Sequence, residues 1–213
     1  MSEQRKLELI DATYEMLKKM PPDQISARKV VAAAGCTSPL IYRNFKDMDE
    51  LILLAAVRFL ERYIVESPQL FDESQDPLVM LDSTWELFAK HGFQNVDVFL
   101  FLFFSQHSKE VGDAIEEYYQ LLPDGWRQFG GMFTTVLFDG DIYDRNLIVV
   151  RRVASSGVFD VDDAQAISDM QCYLFHGMLM KYRDVYRDPA IAAEGLEEFM
   201  RLFRSQVEHY RIK

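Results

Sequence analysis

The stretch SARKVVAAAGCTSPLIYRNF, residues 26–45, decides how the rest of the chain is read. Its spacing predicts two short helices joined by a tight turn at Gly35. Ser26 and Thr37 stand where the helices would begin, and their hydroxyls are suited to accept from first-turn backbone N–H groups. Val30, Val31 and Ala34 give the first helix an apolar face. Gly35 suits the left-handed conformation that closes a helix. Pro39 fits early in the second helix, where its missing N–H is not needed. Leu40, Ile41 and Phe45 would hold that helix to the body. Two helices meeting through such a turn form a helix-turn-helix, whose second helix can enter a DNA major groove.

Charge points the same way. No acid lies between Ile25 and Lys46, while Arg28, Lys29, Arg43 and Lys46 are basic. Residues 1–65 hold 10 Lys/Arg and 9 Asp/Glu; residues 66–213 hold 13 and 25, within a chain of net charge -11. A near-neutral head on an acidic body directs a polyanion to the head. Lys and Arg contacts to phosphate would then supply much of the affinity and make it salt-dependent.

The segment AAAGCTSPLIYRNFKDMDEL, from Ala32 to Leu51, resembles the signature of TetR-type (tetracycline-repressor-like) transcriptional regulators. Ala34, Gly35, Thr37, Ile41, Tyr42, Phe45 and Leu51 carry the match. Val31, Cys36, Asn44 and Met48 depart from it, Met48 standing where the family commonly has a phosphate-contacting Lys that Lys46 could replace. The resemblance covers about the first 60 residues. It implies that Thr37, Ser38 and Pro39 face base edges, and that Arg28, Tyr42, Arg43, Asn44 and Lys46 mostly hold phosphates. It also implies a homodimer on a near-palindromic double-stranded DNA operator, released by a small-molecule effector, with repression favoured over activation.

The rest of the chain is expected to be helical. Leu7, Ile10, Tyr14 and Leu17 predict a helix over 3–20, ended by Pro21-Pro22. A fourth helix over 47–65 starts on Asp47. Residues 67–77 form a loop, and further helices are expected at 77–91, 96–107, 109–122, 125–138 and 145–156, with a turn at 139–144. Ile148-Val149-Val150 is the one place where a strand is conceivable. Two long helices, 161–185 and 189–211, close the chain. The fold class is therefore all-α: a three-helix head at 1–46, a connecting helix at 47–66 and a ligand-binding and dimerisation body at 67–213.

The 161–185 helix carries one apolar stripe of Ile167, Met170, Leu174 and Met178 and another of Cys172, Phe175 and Leu179. A helix apolar on two sides has two partners. Either it is simply central to the body, or one side meets a second subunit together with Phe199, Phe203, Val207 and Tyr210 of the last helix. The family resemblance favours the second.

Aromatic residues and methionine crowd the body, and residues 98–104 are apolar on every side. Trp85, Phe99, Phe103, Trp126, Phe129, Phe133 and Phe175 are candidates to line an apolar cavity. His107, Gln106 and His176 are candidate polar groups on its wall. A catalytic site finds little support. His91, His107, His176 and His209 lack metal-ligand spacing, and no nucleophile elbow, dinucleotide fingerprint or P-loop occurs. DGDIYD lacks the Gly and Glu of a calcium loop. No cofactor is implied. Two cysteines far apart fit a reducing compartment, and no apolar run nears the roughly 18–20 residues of a membrane span, so a cytoplasmic protein is expected. The alternative is a helical ligand-binding or protein-interaction module with weak or lost operator binding.

Overall fold

Leu9, Ile10 and Leu17 fall on one side of the first helix and are buried, so the chain folds back over them at once. The computed structural model describes residues 3–71, 75–122 and 140–212, which carry helices and no strand. Helix α1 (Glu3–Leu17) is followed by a 3-10 turn at Pro22–Gln24, then α2 (Ala27–Ala34) and α3 (Ser38–Asn44). Gly35 has φ 62° and ψ 37°, and its N–H donates to the Val31 carbonyl. A Cβ there would meet nothing within 4 Å, so the backbone angle alone is what asks for glycine. Ser26 and Thr37 occupy the starting positions with extended backbones, yet neither hydroxyl caps its helix.

Helix α4 (Met48–Ala56) starts on Asp47, whose carboxylate accepts from the Glu50 N–H at 2.9 Å. Glu50 reaches back to the Lys46 N–H. The seven residues from Leu51 to Val57 are all buried. A helix buried on every side has partners on every side. Here they are α1 on the head, and α7 and α8 on the body. The expected continuous helix over 47–65 is not formed: the chain tightens into a 3-10 segment at Val57–Leu60 and resumes as α5 (Glu61–Glu66).

The body is α6 (Pro77–Gln94), α7 (Val96–Phe104), α8 (Val111–Gln120), α9 (Ile142–Ser155), α10 (Ala164–Tyr182) and α11 (Pro189–Tyr210). The expected helix over 125–138 lies outside the described residues. Helix α9 begins three residues before the expected 145 because Asp141 and Asp144 close a reciprocal cap around its start. Ile148-Val149-Val150 lies within it, so the strand option there is discarded. Residues 161–163 form a 3-10 turn, and the helix proper ends at Tyr182. Asp188 caps α11 through the Ala190 N–H at 2.9 Å.

Helix α10 lies between α9, α11 and α7, and α6 packs on α11 and α9. Aromatic rings fill the space between them. Phe175 lies 5.5 Å from Trp85, 5.4 Å from Phe88 and 5.4 Å from Phe199, ring centre to ring centre. Gly92 lets α6 come this close: a Cβ there would stand 2.6 Å from Phe175 Cζ.

Head and body are tied by charged contacts as well. Lys6 pairs with Glu117, Arg58 with Asp11, and His107 with both Asp49 at 3.4 Å and Glu110 at 3.1 Å. Asp97, at the start of α7, is buried. Its oxygens accept from Arg183 Nε, Tyr186 Oη and Arg187 Nη2, each at 3.1 Å. Arg183 also faces Asp23 of the head at 3.9 Å. Burial, followed by the charge on Asp97, pushes the Tyr186 phenol up to about 12, so it stays a donor.

Candidate nucleic-acid interface and body cavity

The outer face of the head is built by α3 and the start of α2. Ile41 and Phe45 turn inward and are buried, which fixes the rotation of α3 and leaves its other side in solvent. Thr37, Ser38, Pro39, Tyr42 and Arg43 are exposed there, with Arg28 and Lys46 exposed at the ends of the motif. Tyr42 is 57% exposed, a large share for an aromatic ring of a three-helix head. Asn44 is half-buried, and its side-chain amide donates to the Leu40 carbonyl at 2.7 Å. That bond commits one of its two donors to the helix, so Asn44 is a weaker phosphate candidate than its neighbours. Lys29 folds back on the Gln24 carbonyl at 2.8 Å. Met48, in place of a polar residue, packs partly buried against the core.

A cavity of about 60 Å³ opens in the body between α5, α6, α7 and α9. Its walls are Leu60, Leu81, Phe88, Val149 and two of the expected residues, Trp85 and Phe103. Tyr63, Thr84, Arg145 and Asn146 form a polar corner. Asn146 is held on all sides: it accepts from Trp85 Nε1 at 3.0 Å and donates to Ser168 Oγ at 3.0 Å and Gln171 Oε1 at 2.9 Å. Arg145 is buried and donates from Nη2 to the Gly140 carbonyl at 3.1 Å. Burial drives the Tyr63 phenol far above its usual range, and the nearby Arg145 charge only partly opposes this, so the phenol stays protonated. Thr84 Oγ1 is shielded from solvent and has no hydrogen-bond partner.

Five expected cavity residues are elsewhere. Phe99 and Phe175 are wholly inside the aromatic core. His107 joins Asp49 to Glu110 at the junction of head and body. His176 stacks on Phe104, 4.2 Å between ring centres, beside a surface groove that also holds Asp23 and Arg183. Gln106 is beside His107, not at the cavity. Trp126, Phe129 and Phe133 lie outside the described residues. The cavity's polar corner was missed, although α9 carried a signal. Arg145 and Asn146 share the helical stripe of Ile142, Val149 and Val153, where a plain core would be apolar.

The expected dimer surface needs a larger correction. Ile167, Met178, Phe199, Phe203 and Val207 are buried within the single chain and cannot meet another one. Tyr210 is half-buried, its hydroxyl 3.5 Å from Met170 Sδ. The stripe that does face solvent on α10 is Ala166, Met170, Tyr173, Gly177 and Met180, with Leu174 half-buried beside it. Met170, Tyr173 and Met180 are 46%, 62% and 51% exposed. The inward and outward stripes of α10 are both apolar, so their spacing could not say which was which.

Among the described residues no cluster of three His, Cys, Asp or Glu could hold a metal ion, and no helix is long and apolar enough to cross a membrane. Residues 9–55, the head together with the first half of α4, match the family described as bacterial regulatory proteins, tetR family. In its head, the chain is similar to TetR-family proteins. The TetR match takes in α3, its exposed face and the Asp47 cap. The whole fold is similar to solved structures of transcriptional regulators. One, from Pseudomonas aeruginosa PAO1, is 20% identical at a TM-score of 0.55, with 98% of this chain and 95% of that one covered. Another is Thermus thermophilus FadR, a TetR-family transcriptional repressor in complex with lauroyl-CoA; it is 14% identical at a TM-score of 0.56, with 94% of each chain covered. No curated protein matches the sequence.

Proposed function

We propose that this chain is a ligand-responsive TetR-family regulator that binds a near-palindromic DNA operator as a homodimer, represses from it, and is released by a small effector bound in the body. One observation carries the reading: an acid-free helix-turn-helix whose second helix presents Thr37, Ser38, Pro39, Tyr42 and Arg43 to solvent. Thr37 and Ser38 can donate to or accept from base edges, while Arg28, Tyr42, Arg43 and Lys46 hold the backbone. Residues 1–46 form the DNA-reading unit, 47–66 the connection and 67–213 the effector and dimer unit. The partner copy meets the α10 stripe of Met170, Tyr173, Gly177 and Met180. A ligand that binds one arrangement of head and body better than another shifts the population toward it. Helix α4, packed on both, is the element through which that shift reaches α3.

The reading is tested by a gel-shift titration with DNA from upstream of the chain's own gene. Tyr42→Ala combined with Arg43→Ala is expected to lower affinity at least about tenfold while the subunit count stays at two. Equal affinity for wild type and double variant would contradict the assignment of this face.

A further inference from the structure

We infer that the body cavity takes a small neutral molecule, apolar apart from one oxygen, such as a short-chain ketone, whose oxygen accepts a hydrogen bond from the Thr84 hydroxyl. The inference rests on the cavity being the effector site, as proposed above, and adds the chemistry of what enters it. Leu81, Thr84 and Phe88 all line the cavity and follow one another on α6 at the spacing of a single helix face. Of the three, Thr84 alone is polar. A threonine or serine within a helix can give its hydroxyl to the carbonyl one turn back. Thr13 does so, donating to the Leu9 carbonyl at 2.8 Å, and Ser67 and Ser105 donate likewise to Tyr63 and Phe101. Thr84 does not: its Oγ1 is shielded from solvent and has no hydrogen-bond partner. A hydroxyl withdrawn from water is costly unless something supplies the missing bond. The cavity is where such a partner fits, because Thr84 is part of its wall. The other polar groups there are committed or uncharged. Asn146 serves Trp85, Ser168 and Gln171. Arg145 is already engaged, its Nη2 on the Gly140 carbonyl among its interactions. The Tyr63 phenol stays protonated. The wall therefore suits one neutral acceptor, and a carboxylate would lose its hydration there without a partner of its own.

Size narrows the class. The cavity measures about 60 Å³, against the roughly 150 Å³ of an engineered cavity that holds benzene. That suits a skeleton of a few carbons and excludes a long acyl chain unless the walls move. Leu81, Phe88 and Val149 meet the carbon part.

The test titrates the full, isotope-labelled chain by NMR at pH 7.5 with butanone, propionate and 2-methyl-1-butene. The three share one branched skeleton and differ in bearing a carbonyl, a carboxylate or a methylene. Butanone is expected to bind at least about tenfold more tightly than propionate. Thr84→Val, equal in shape, should weaken butanone several-fold and leave the affinity for the alkene unchanged. It should also raise the urea midpoint of the unliganded chain, because an unpaired hydroxyl gives way to a methyl. Val149→Phe, which fills the cavity, should abolish binding of every probe; the wild-type and Thr84→Val comparisons stand even if it fails to fold. If propionate binds as tightly as butanone, or Thr84→Val leaves butanone unchanged or lowers the urea midpoint, the neutral-acceptor assignment is overturned and the cavity remains the effector site. If no probe binds, or if binding survives Val149→Phe, the cavity reading itself is overturned.

Discussion

His91 shows how one buried side chain can make the whole fold sensitive to acid. It is buried on α6, 3.7 Å from Glu66, and its Nε2 has no hydrogen-bond partner. Burial lowers its pKa from the usual value of 6.5, the Glu66 carboxylate opposing this only in part. Burial lowers His176 in the same way. Below pH 6.5 the unfolded chain therefore binds protons that the folded chain refuses, and stability falls as pH falls until the folded groups titrate as well. Urea midpoints are expected to drop between pH 7.5 and 5.5, and His91→Phe should reduce the drop. An unchanged midpoint across that range in the wild type would refute this. Other single residues were legible before the fold was known. Gly35 and Asp47 are read correctly because a left-handed turn and a helix cap are local matters. Ser26 and Thr37 sit where expected and yet their hydroxyls make no cap hydrogen bond, since position in sequence does not settle a rotamer. Arg145 was legible only in part: it shares the stripe of Ile142 and Val149, but which face of α9 is covered depends on tertiary packing.

At the scale of elements, the short helices of the head are set by caps, turn glycine and proline, so their order could be read from 20 residues. The body helices are long and apolar on more than one side, and the direction each face takes is decided by tertiary packing. Helix α10 is the clearest case, its Ile167 and Met178 turning inward while Met170, Tyr173 and Met180 face out. Replacing Met170 and Met180 together by Lys should leave a folded protein that elutes as a monomer in light-scattering chromatography. A dimer of unchanged stability would move the interface elsewhere. The turn between α10 and α11 is fixed by Asp97 on α7. Both arginines that pair with it are over two-fifths exposed and can return to water. Asp97→Ala should therefore cost about 2 kcal/mol, less than the roughly 3–5 kcal/mol expected for a pair buried on both sides. Denaturant unfolding of the variant measures it. A loss below about 0.5 kcal/mol would show that the cluster is not a brace.

For the whole molecule, the uneven charge along the chain and the packing of α4 make one argument. A chain of net charge -11 would be repelled by DNA unless its approach were confined to the acid-free face of the head. Helix α4 is buried against both α1 and the body, and so is the packed link between the head and the rest of the chain. Fold class and head were open to reading from sequence; the polar lining of the body cavity and the outward face of α10 were not, because both depend on packing between residues distant in sequence.

The salt dependence of binding to duplex DNA containing the chain's own upstream region tests the central claim most directly. Phosphate contacts from Arg28, Arg43 and Lys46 on two protomers would give a steep linear fall of log affinity with log salt, flatter by about two in an Arg43→Ala dimer. Binding that is absent at low ionic strength, or that shows the same slope in wild type and Arg43→Ala, would contradict it.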